Sequence, residues 1–164
     1  MNIYKVYLSE GFTYFSVLNF EDENRIENKD YTNIEKVNIK FENDDRDMNG
    51  DITILDTSSS LLFSSKAKKI FNNEKFIFIP QTTNYYLLDA LVIDALNMKK
   101  SKIDYFSGTD RIKRINKYIF EEGKILNIDT FKLPIIASPV FVTESFLKKY
   151  SENNLTGLEF SLVN

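Results

Sequence analysis

The most apolar stretch of the chain is YYLLDALVIDALN, at residues 85–97, and it contains Asp89 and Asp94. An unpaired charge inside a protein core is costly, so each carboxylate needs a partner or a place at the end of an element. The stretch is also too short and too polar to cross a membrane. We therefore expect it to contribute to a protein core.

Two interpretations of Asp89 and Asp94 follow from carboxylate chemistry. Burial raises the pKa of a carboxyl group, so both residues would suit general acid–base catalysis. Alternatively, Asp89 ends a strand formed by YYLL, and Asp94 lies in the first turn of a short helix, VIDALN. Free N–H groups and the helix dipole stabilise a carboxylate at such positions. No third polar group of a fitting type accompanies the two residues, so we favour the structural interpretation.

The missing residue types narrow the possible functions. The 164 residues include no Cys and no His, which excludes disulfides, Ser-His and Cys-His nucleophile pairs and the usual zinc sites. An enzyme of this composition would have to use Asp, Glu, Lys, Tyr or Arg. The five glycines form no phosphate-binding loop, and the acidic run DDRDMNGD fails the pattern of a calcium loop. We therefore expect no cofactor and no metal.

Length and composition fit a single domain over residues 1–164. The hydrophobic share of 43% is enough for a real core, and the 14% of aromatic residues without Trp place much of that core in Phe and Tyr. The opening MNIYKVYLSEGF lacks the basic and apolar regions of a signal peptide, so we expect a cytoplasmic protein.

Short alternating segments predict an α+β fold, with mostly antiparallel sheet and a few short helices. Strands are expected at residues 3–8, 13–20, 35–41, 52–55, 75–80, 82–91 and 156–164. Helices are expected near residues 65–72, after serines suited to capping, and after the N-cap Thr143. Residues 111–120 and 125–134 flank the turn EEGK, which predicts a β-hairpin.

Two segments of the chain resemble each other. LLFSSKAKKIF at residues 61–71 and VFVTESFLKKY at residues 140–150 align without gaps. Each joins an apolar triplet, a hydroxyl residue, a short Lys-bearing helix and an aromatic end. A single pair of such short units indicates a shared supersecondary structure and not a repeat protein.

Charge is unevenly distributed along the chain. Residues 1–60 carry 13 acidic and 6 basic side chains, whereas residues 61–164 carry 11 acidic and 15 basic ones. The bases are scattered, apart from the short cluster Arg111, Lys113 and Arg114. The run ENDDRDMNGD is either a solvated loop or a docking surface for a basic partner. The residues proposed for this surface are Glu42, Asp44, Asp45, Asp47 and Asp51, with Glu21, Asp22 and Glu23 as a second patch.

Several motifs follow one another in the C-terminal two-thirds of the chain: the apolar strand running into VIDAL, then DRIKRINKYIF, DTFKLP, SPVFVTESFLKKY and TGLEF. In this order they resemble the eleventh immunity-protein family of bacterial polymorphic toxin systems. The resemblance divides the chain into an acidic, variable part at residues 1–60 and a family-like core at residues 61–164. It implies a cytoplasmic, non-catalytic inhibitor that binds a cognate toxin C-terminal domain. We expect neither nucleic acid nor a membrane as a partner, because the basic residues are scattered and no apolar run reaches the length of a membrane span. The motif residues look fold-defining, so none is carried over as a binding residue.

Two other functions are compatible with the sequence. A small enzyme would use Asp89 with Asp94, or Asp110 with Arg111, on a polar substrate. A non-catalytic adaptor module would need no toxin. The acidic surface favours the inhibitor, because a toxin that acts on nucleic acid tends to be basic.

Overall fold

The computed structural model of the chain describes residues 1–42, 47–56, 60–135 and 137–163. These residues form strands in mostly antiparallel sheets together with short helices, which confirms the α+β prediction. The strands, in chain order, are β1 Ile3–Leu8, β2 Tyr14–Val17, β3 Ile39–Glu42, β4 Ile52–Asp56, β5 Ser60–Ser64, β6 Phe76–Phe78, β7 Tyr85–Leu88, β8 Leu91–Val92, β9 Lys102–Tyr105, β10 Ile112–Lys117, β11 Thr130–Lys132, β12 Phe141–Thr143 and β13 Leu158–Leu162. The helices are α1 Phe20–Glu27, α2 Ser65–Ile70 and α3 Glu144–Glu152, with 3₁₀ turns at Ile34–Lys36, Pro80–Thr82 and Glu122–Lys124.

The strands form two sheets and one separate ribbon. The first sheet has five strands in the order β13-β1-β12-β11-β8, and the second has six in the order β3-β2-β4-β5-β7-β6. Neighbouring strands are antiparallel except for the pairs β2–β4 and β8–β11. The ribbon consists of β9 and β10. Among the described residues, no helix combines the length and the apolar character that crossing a bilayer requires.

β5 in the second sheet and β12 in the first are each buried on both faces. In β5, Leu61 and Phe63 belong to one apolar cluster while Leu62 belongs to another. In β12, Val142 and Phe141 divide between two clusters in the same way. Strands buried on both faces read as continuous apolar runs, which explains why the triplets LLF and VFV show no polar alternation.

The main apolar cluster lies between the two sheets and includes side chains from α2 and α3. Phe71, directly after α2, stacks on Phe146 of α3 with ring centroids 4.5 Å apart, and Phe63 meets both rings edge-on. The Ser64 hydroxyl caps α2 by accepting a hydrogen bond from the N–H of Ala67 at 3.2 Å. The two similar segments are therefore strand–helix units, one from each sheet, whose helices pack into one core.

The β-hairpin predicted around EEGK is wrong. The ribbon pairs β10 with β9 across the turn SGTD, while β11 pairs with β12 and β8. Tyr118 and Phe120 leave the ribbon and pack with Ile125 and Phe131 in a cluster on the outer face of the first sheet. Burial of these aromatic side chains decides the pairing, and EEGK becomes a 3₁₀ turn at the edge of that cluster.

Helix α1 occupies a polar segment for which the sequence predicted no element, and the strand predicted for residues 13–20 ends before it, at Val17. The side chain of Asn19 accepts a hydrogen bond from the N–H of Asp22 at 2.9 Å and so caps the helix. Ile26 is the apolar residue that α1 buries, in a cluster on the outer face of the second sheet. The third predicted strand likewise begins late, at Ile39, because a 3₁₀ turn precedes it.

The two sheets meet where two backbones cross closely. Gly157, just before β13, has a φ of +110°, and a Cβ atom there would lie 2.0 Å from the carbonyl oxygen of Ile52. A Cβ atom on Gly50 would lie 2.8 Å from the Cα of Gly157. The N–H of Ile52 donates to the carbonyl of Thr156 at 3.1 Å. The Asp51 carboxylate accepts from the N–H and the hydroxyl of Thr156 at 3.1 and 3.2 Å.

We expect Gly157→Ala to lower the free energy of unfolding by about 3 kcal/mol or more, because the positive φ and the overlap with the Ile52 carbonyl both penalise a side chain. Urea denaturation at pH 7 measures the effect. Gly123→Ala is the matched control, since the space around Gly123 is open, and its change should stay within about 0.5 kcal/mol. Equal stability of the two variants would contradict the close crossing.

Candidate functional site

Asp89 lies directly after β7 and is only 8% exposed. Its Oδ1 accepts from Lys29 Nζ at 2.7 Å and from the Tyr31 hydroxyl at 3.1 Å, and its Oδ2 accepts from Lys75 Nζ at 2.8 Å. Burial alone raises the pKa of Asp89, but hydrogen bonds from the two lysines and from Tyr31 outweigh it and hold that pKa below its ordinary value. Burial and the nearby Asp89 charge raise the pKa of Tyr31. Asp89 is therefore an ionised anchor for the chain that follows α1.

A cleft of about 510 Å³ lies beside this anchor. Its lining includes Glu27, Lys29 and Tyr31 from the α1 region, and Lys132 from the first sheet. Burial raises the pKa of Glu27 and lowers the pKa of Lys132, and the charge of each partly offsets the shift of the other. The cleft thus brings opposite charges together where the α1 region meets the first sheet.

Asp94 does not share the buried, ion-paired environment of Asp89. Asp94 is exposed, and residues 91–97 contain no helix, so the helix predicted for VIDALN is wrong. Leu91 and Val92 pair with β11 as β8, and Ala95 and Leu96 are buried in the outer cluster of the first sheet. These contacts hold the segment extended. Asp89 ends its strand as predicted, but the three groups described above that hold its carboxylate are side chains and not free backbone N–H groups.

The second predicted catalytic pair, Asp110 and Arg111, lies in the exposed turn between β9 and β10. The guanidinium carbon of Arg111 lies 5.4 Å from the ring centre of Phe106, so this side chain is engaged with an aromatic ring. An open turn does not shield a substrate from water. In the described part of the chain, no group of three or more Asp and Glu residues is arranged to hold a metal ion.

Glu42 and Asp51, two described residues of the predicted acidic run, have side-chain partners within the chain. Glu42 accepts from Ser16 at 2.8 Å and from Lys40 at 2.7 Å, and these hydrogen bonds, that of Lys40 foremost, lower its pKa. Asp51 accepts from Lys66 at 3.0 Å in addition to its bonds at the sheet crossing. Both carboxylates therefore serve the fold.

Three predicted residues of that segment remain. Asp47 is described and half-buried, whereas Asp44 and Asp45 lie outside the described residues. Glu42 pairs with the first residue of β2, while α1 begins shortly after the last residue of that strand. At about 3.3 Å per residue, Glu42 is therefore separated from the first turn of α1 by roughly 10 Å or more along β2.

The acidic patch on α1 consists of Glu21, Asp22 and Glu23, and only the carboxylate of Asp22 is buried. Asp22 is buried, and its Oδ2 accepts from the Asn19 side chain at 2.7 Å and from the N–H of Asn38 at 3.1 Å. Glu21 is exposed and Glu23 is half-exposed in the same first turn, where the helix dipole favours acids. Glu21 and Glu23 are thus the predicted residues of this patch that face solvent.

Two apolar side chains beside these acids were missed by the sequence analysis. Leu18 is 60% exposed and Phe20 is 74% exposed, although both lie within the predicted strand of residues 13–20. Asn19 followed by three consecutive acids is an N-cap signal that would have ended the strand and started the helix here. Aromatic residues are enriched at protein–protein interfaces relative to the rest of the surface.

A comparison with known protein families assigns the class of this protein. Residues 19–164 match the Immunity protein family (Imm11), and the chain belongs to this family. The match confirms the resemblance seen in the motifs, and it also includes α1 and the acidic segment, which the motifs did not cover. A search of curated proteins finds no match to the chain.

We expect Asp89→Asn to lower the free energy of unfolding by about 2 kcal/mol at pH 7, because Lys29 and Lys75 lose their carboxylate. The loss falls below that of a fully buried pair, since the side chain of Lys75 is 73% exposed. Asp94→Asn is the matched control, and as an exposed substitution it should change stability by no more than about 0.5 kcal/mol.

The difference between wild type and Asp89→Asn should depend on pH. The pKa of Asp89 is lower in the folded state, so its contribution is complete above its unfolded pKa of about 3.9 and is lost as the pH falls through the folded pKa. Urea denaturation at pH 7 and at successively lower pH values would show the difference shrinking below about pH 4. A variant as stable as wild type at pH 7 would rule out the ionic anchor.

Proposed function

We propose that this chain is a cytoplasmic immunity protein that binds and neutralises the C-terminal domain of a cognate bacterial toxin. Membership of the Immunity protein family (Imm11) over residues 19–164 is the observation that carries the proposal. Inhibition by binding needs no catalytic group, which agrees with the use of Asp89 as an ionic anchor. We further propose that residues 1–164 act as one domain, because β5 and β12 each contribute to two of the three apolar clusters.

The outer face of the α1 region is our proposed toxin-binding surface. Leu18 and Phe20 offer exposed apolar area, and aromatic anchors contribute much of the affinity at protein interfaces. Glu21 and Glu23 surround this area with negative charge, which speeds the encounter with a basic partner. Asp44, Asp45 and Asp47 remain proposed as additional contacts. Asp22, Glu42 and Asp51 are left out, because their carboxylates are bound within the chain.

A toxin that acts on nucleic acid fits this surface best. Such a protein must attract phosphate groups, so the region around its active site carries positive charge. An acidic surface with an aromatic anchor complements that region and excludes the phosphates from it.

Co-expression with the toxin domain of the adjacent reading frame tests the function. The toxin domain alone should arrest growth, and co-expression of this chain should restore growth and allow the two proteins to be purified together. Failure of the wild-type chain both to protect the cells and to co-purify would refute the proposed function.

Variants of α1 test the surface. We expect Glu21→Gln/Glu23→Gln to slow association roughly threefold to tenfold at low salt, because rim charges act mainly on the association rate. Phe20→Ala should weaken affinity about tenfold or more, because the anchor is lost. Stopped-flow binding to an inactivated toxin domain measures both effects.

Glu144→Gln/Glu152→Gln on α3 is the matched control, since it removes the same charge from another helix and takes one acid from its first turn. Its association rate should equal that of wild type. If the α1 variants also bind like wild type, the function stands but its proposed surface does not.

A further inference from the structure

The ribbon projects from the first sheet as an arm with a fixed base. We call residues 99–117 the basic arm; they contain β9, the turn SGTD and β10. Ile103 and Ile115 pack against the outer cluster of the first sheet and hold the base. All eight residues from 104 to 111 are exposed, so the tip stands away from the core.

Positive charge is concentrated on this arm. It carries seven basic and two acidic residues, a balance of +5, whereas the rest of the chain has a balance of −8, which together give the net charge of −3. The seven basic residues, all exposed, are Lys99, Lys100, Lys102, Arg111, Lys113, Arg114 and Lys117. Within the described part of the chain, none of the seven forms an ion pair. Of the two acids, Asp104 accepts a hydrogen bond from Asn116 at 2.8 Å.

The tip also presents aromatic surface. Tyr105 and Phe106 are each 45% exposed, and the Arg111 guanidinium lies over the Phe106 ring. Tyr and Arg are the residue types that most often dominate binding energy at protein interfaces. The stacking of Arg111 on Phe106 restricts its side chain before binding, which reduces the entropy lost on contact.

The geometry of the ribbon favours contact through side chains over pairing of strands. Register shifts interrupt β10 between Ile112 and Arg114 and between Ile115 and Lys117. Such bulges twist a strand, and together with edge lysines they oppose the addition of a further strand. The arm therefore offers charged and aromatic side chains to a partner surface.

We propose that the basic arm docks onto an acidic face of the toxin domain, a second contact that rests on the proposed function and adds to the α1 surface. An acidic protein face fits the observations better than nucleic acid does. A long polyanion would extend from the arm into the field of the remaining chain, with its balance of −8. A compact acidic face needs contact with the arm alone, over distances shorter than the roughly 8 Å within which charges act at physiological salt.

Binding of the inactivated toxin domain of the adjacent reading frame tests the arm. We expect Lys113→Glu/Arg114→Glu to raise the Kd about tenfold or more at 0.15 M salt, and the difference should shrink at 0.5 M salt as screening increases. Lys69→Glu/Lys148→Glu is the matched control, since it reverses two exposed lysines on α2 and α3, and its Kd should stay within about twofold of wild type. Circular dichroism checks that the variants are folded. Lys99→Gln/Lys100→Gln is a milder second variant, because both residues lie outside the strands, and we expect it to raise the Kd about threefold.

The possible outcomes separate the two proposals. If wild type binds the toxin domain and the arm variants bind equally well, the arm proposal is overturned while the function stands. If wild type does not bind, both fall. A labelled 20-nucleotide DNA or RNA that binds wild type and not the arm variants, with toxin affinity unchanged, would assign the arm to nucleic acid and overturn the proposal. A loss of self-association in sedimentation velocity, again with toxin affinity unchanged, would assign it to a second copy of the chain and overturn the proposal as well.

Discussion

The close approach of Gly157 to Ile52 joins the two sheets through their backbones. The carbonyl oxygen of Ile52 occupies the position that a side chain at residue 157 would need. β4 begins at Ile52 in the second sheet, and β13 begins directly after Gly157 in the first. The aromatic cluster of Phe63, Phe71 and Phe146 fills the space that this joint leaves between the sheets, and the helices α2 and α3 are placed by that packing.

Local patterns predicted the elements whose signals are local. The strand of residues 3–8 and the helix capped by Ser64 lie where alternation and capping indicate. The helix after Thr143 also begins where predicted, but the Thr143 hydroxyl donates to the carbonyl of Ile128 and does not cap the helix. The pairing of β10 was predicted wrongly, because EEGK gave a hairpin signal while residues 102–105 were not predicted as the strand β9. Only the burial of Tyr118 and Phe120 against Phe131 and Phe141 decides the pairing, and this contact joins residues distant in sequence.

The role of Asp89 could be predicted in kind but not in detail. Its position at a strand end follows from the apolar residues around it. Its partners Lys29, Tyr31 and Lys75 come from separate segments, and nothing in the local sequence pairs them with it. The local sequence also does not tell which acids of the predicted acidic surface are bound within the fold. Composition identifies the charges, but only the fold distinguishes Asp51, which holds the sheet crossing, from Glu21, which faces solvent.

A net charge of −3 conceals a strong separation of charge. The basic arm has a balance of +5 and the remainder of the chain has −8, and each surface acts locally because salt screens longer distances. A partner that contacts the α1 surface and the arm at once must carry both signs of charge in the matching arrangement. A protein with only one sign is attracted at one surface and repelled at the other, which costs affinity and misaligns the encounter. If both proposed surfaces bind the partner, their opposite charges would discriminate between partners more sharply than a single acidic surface would.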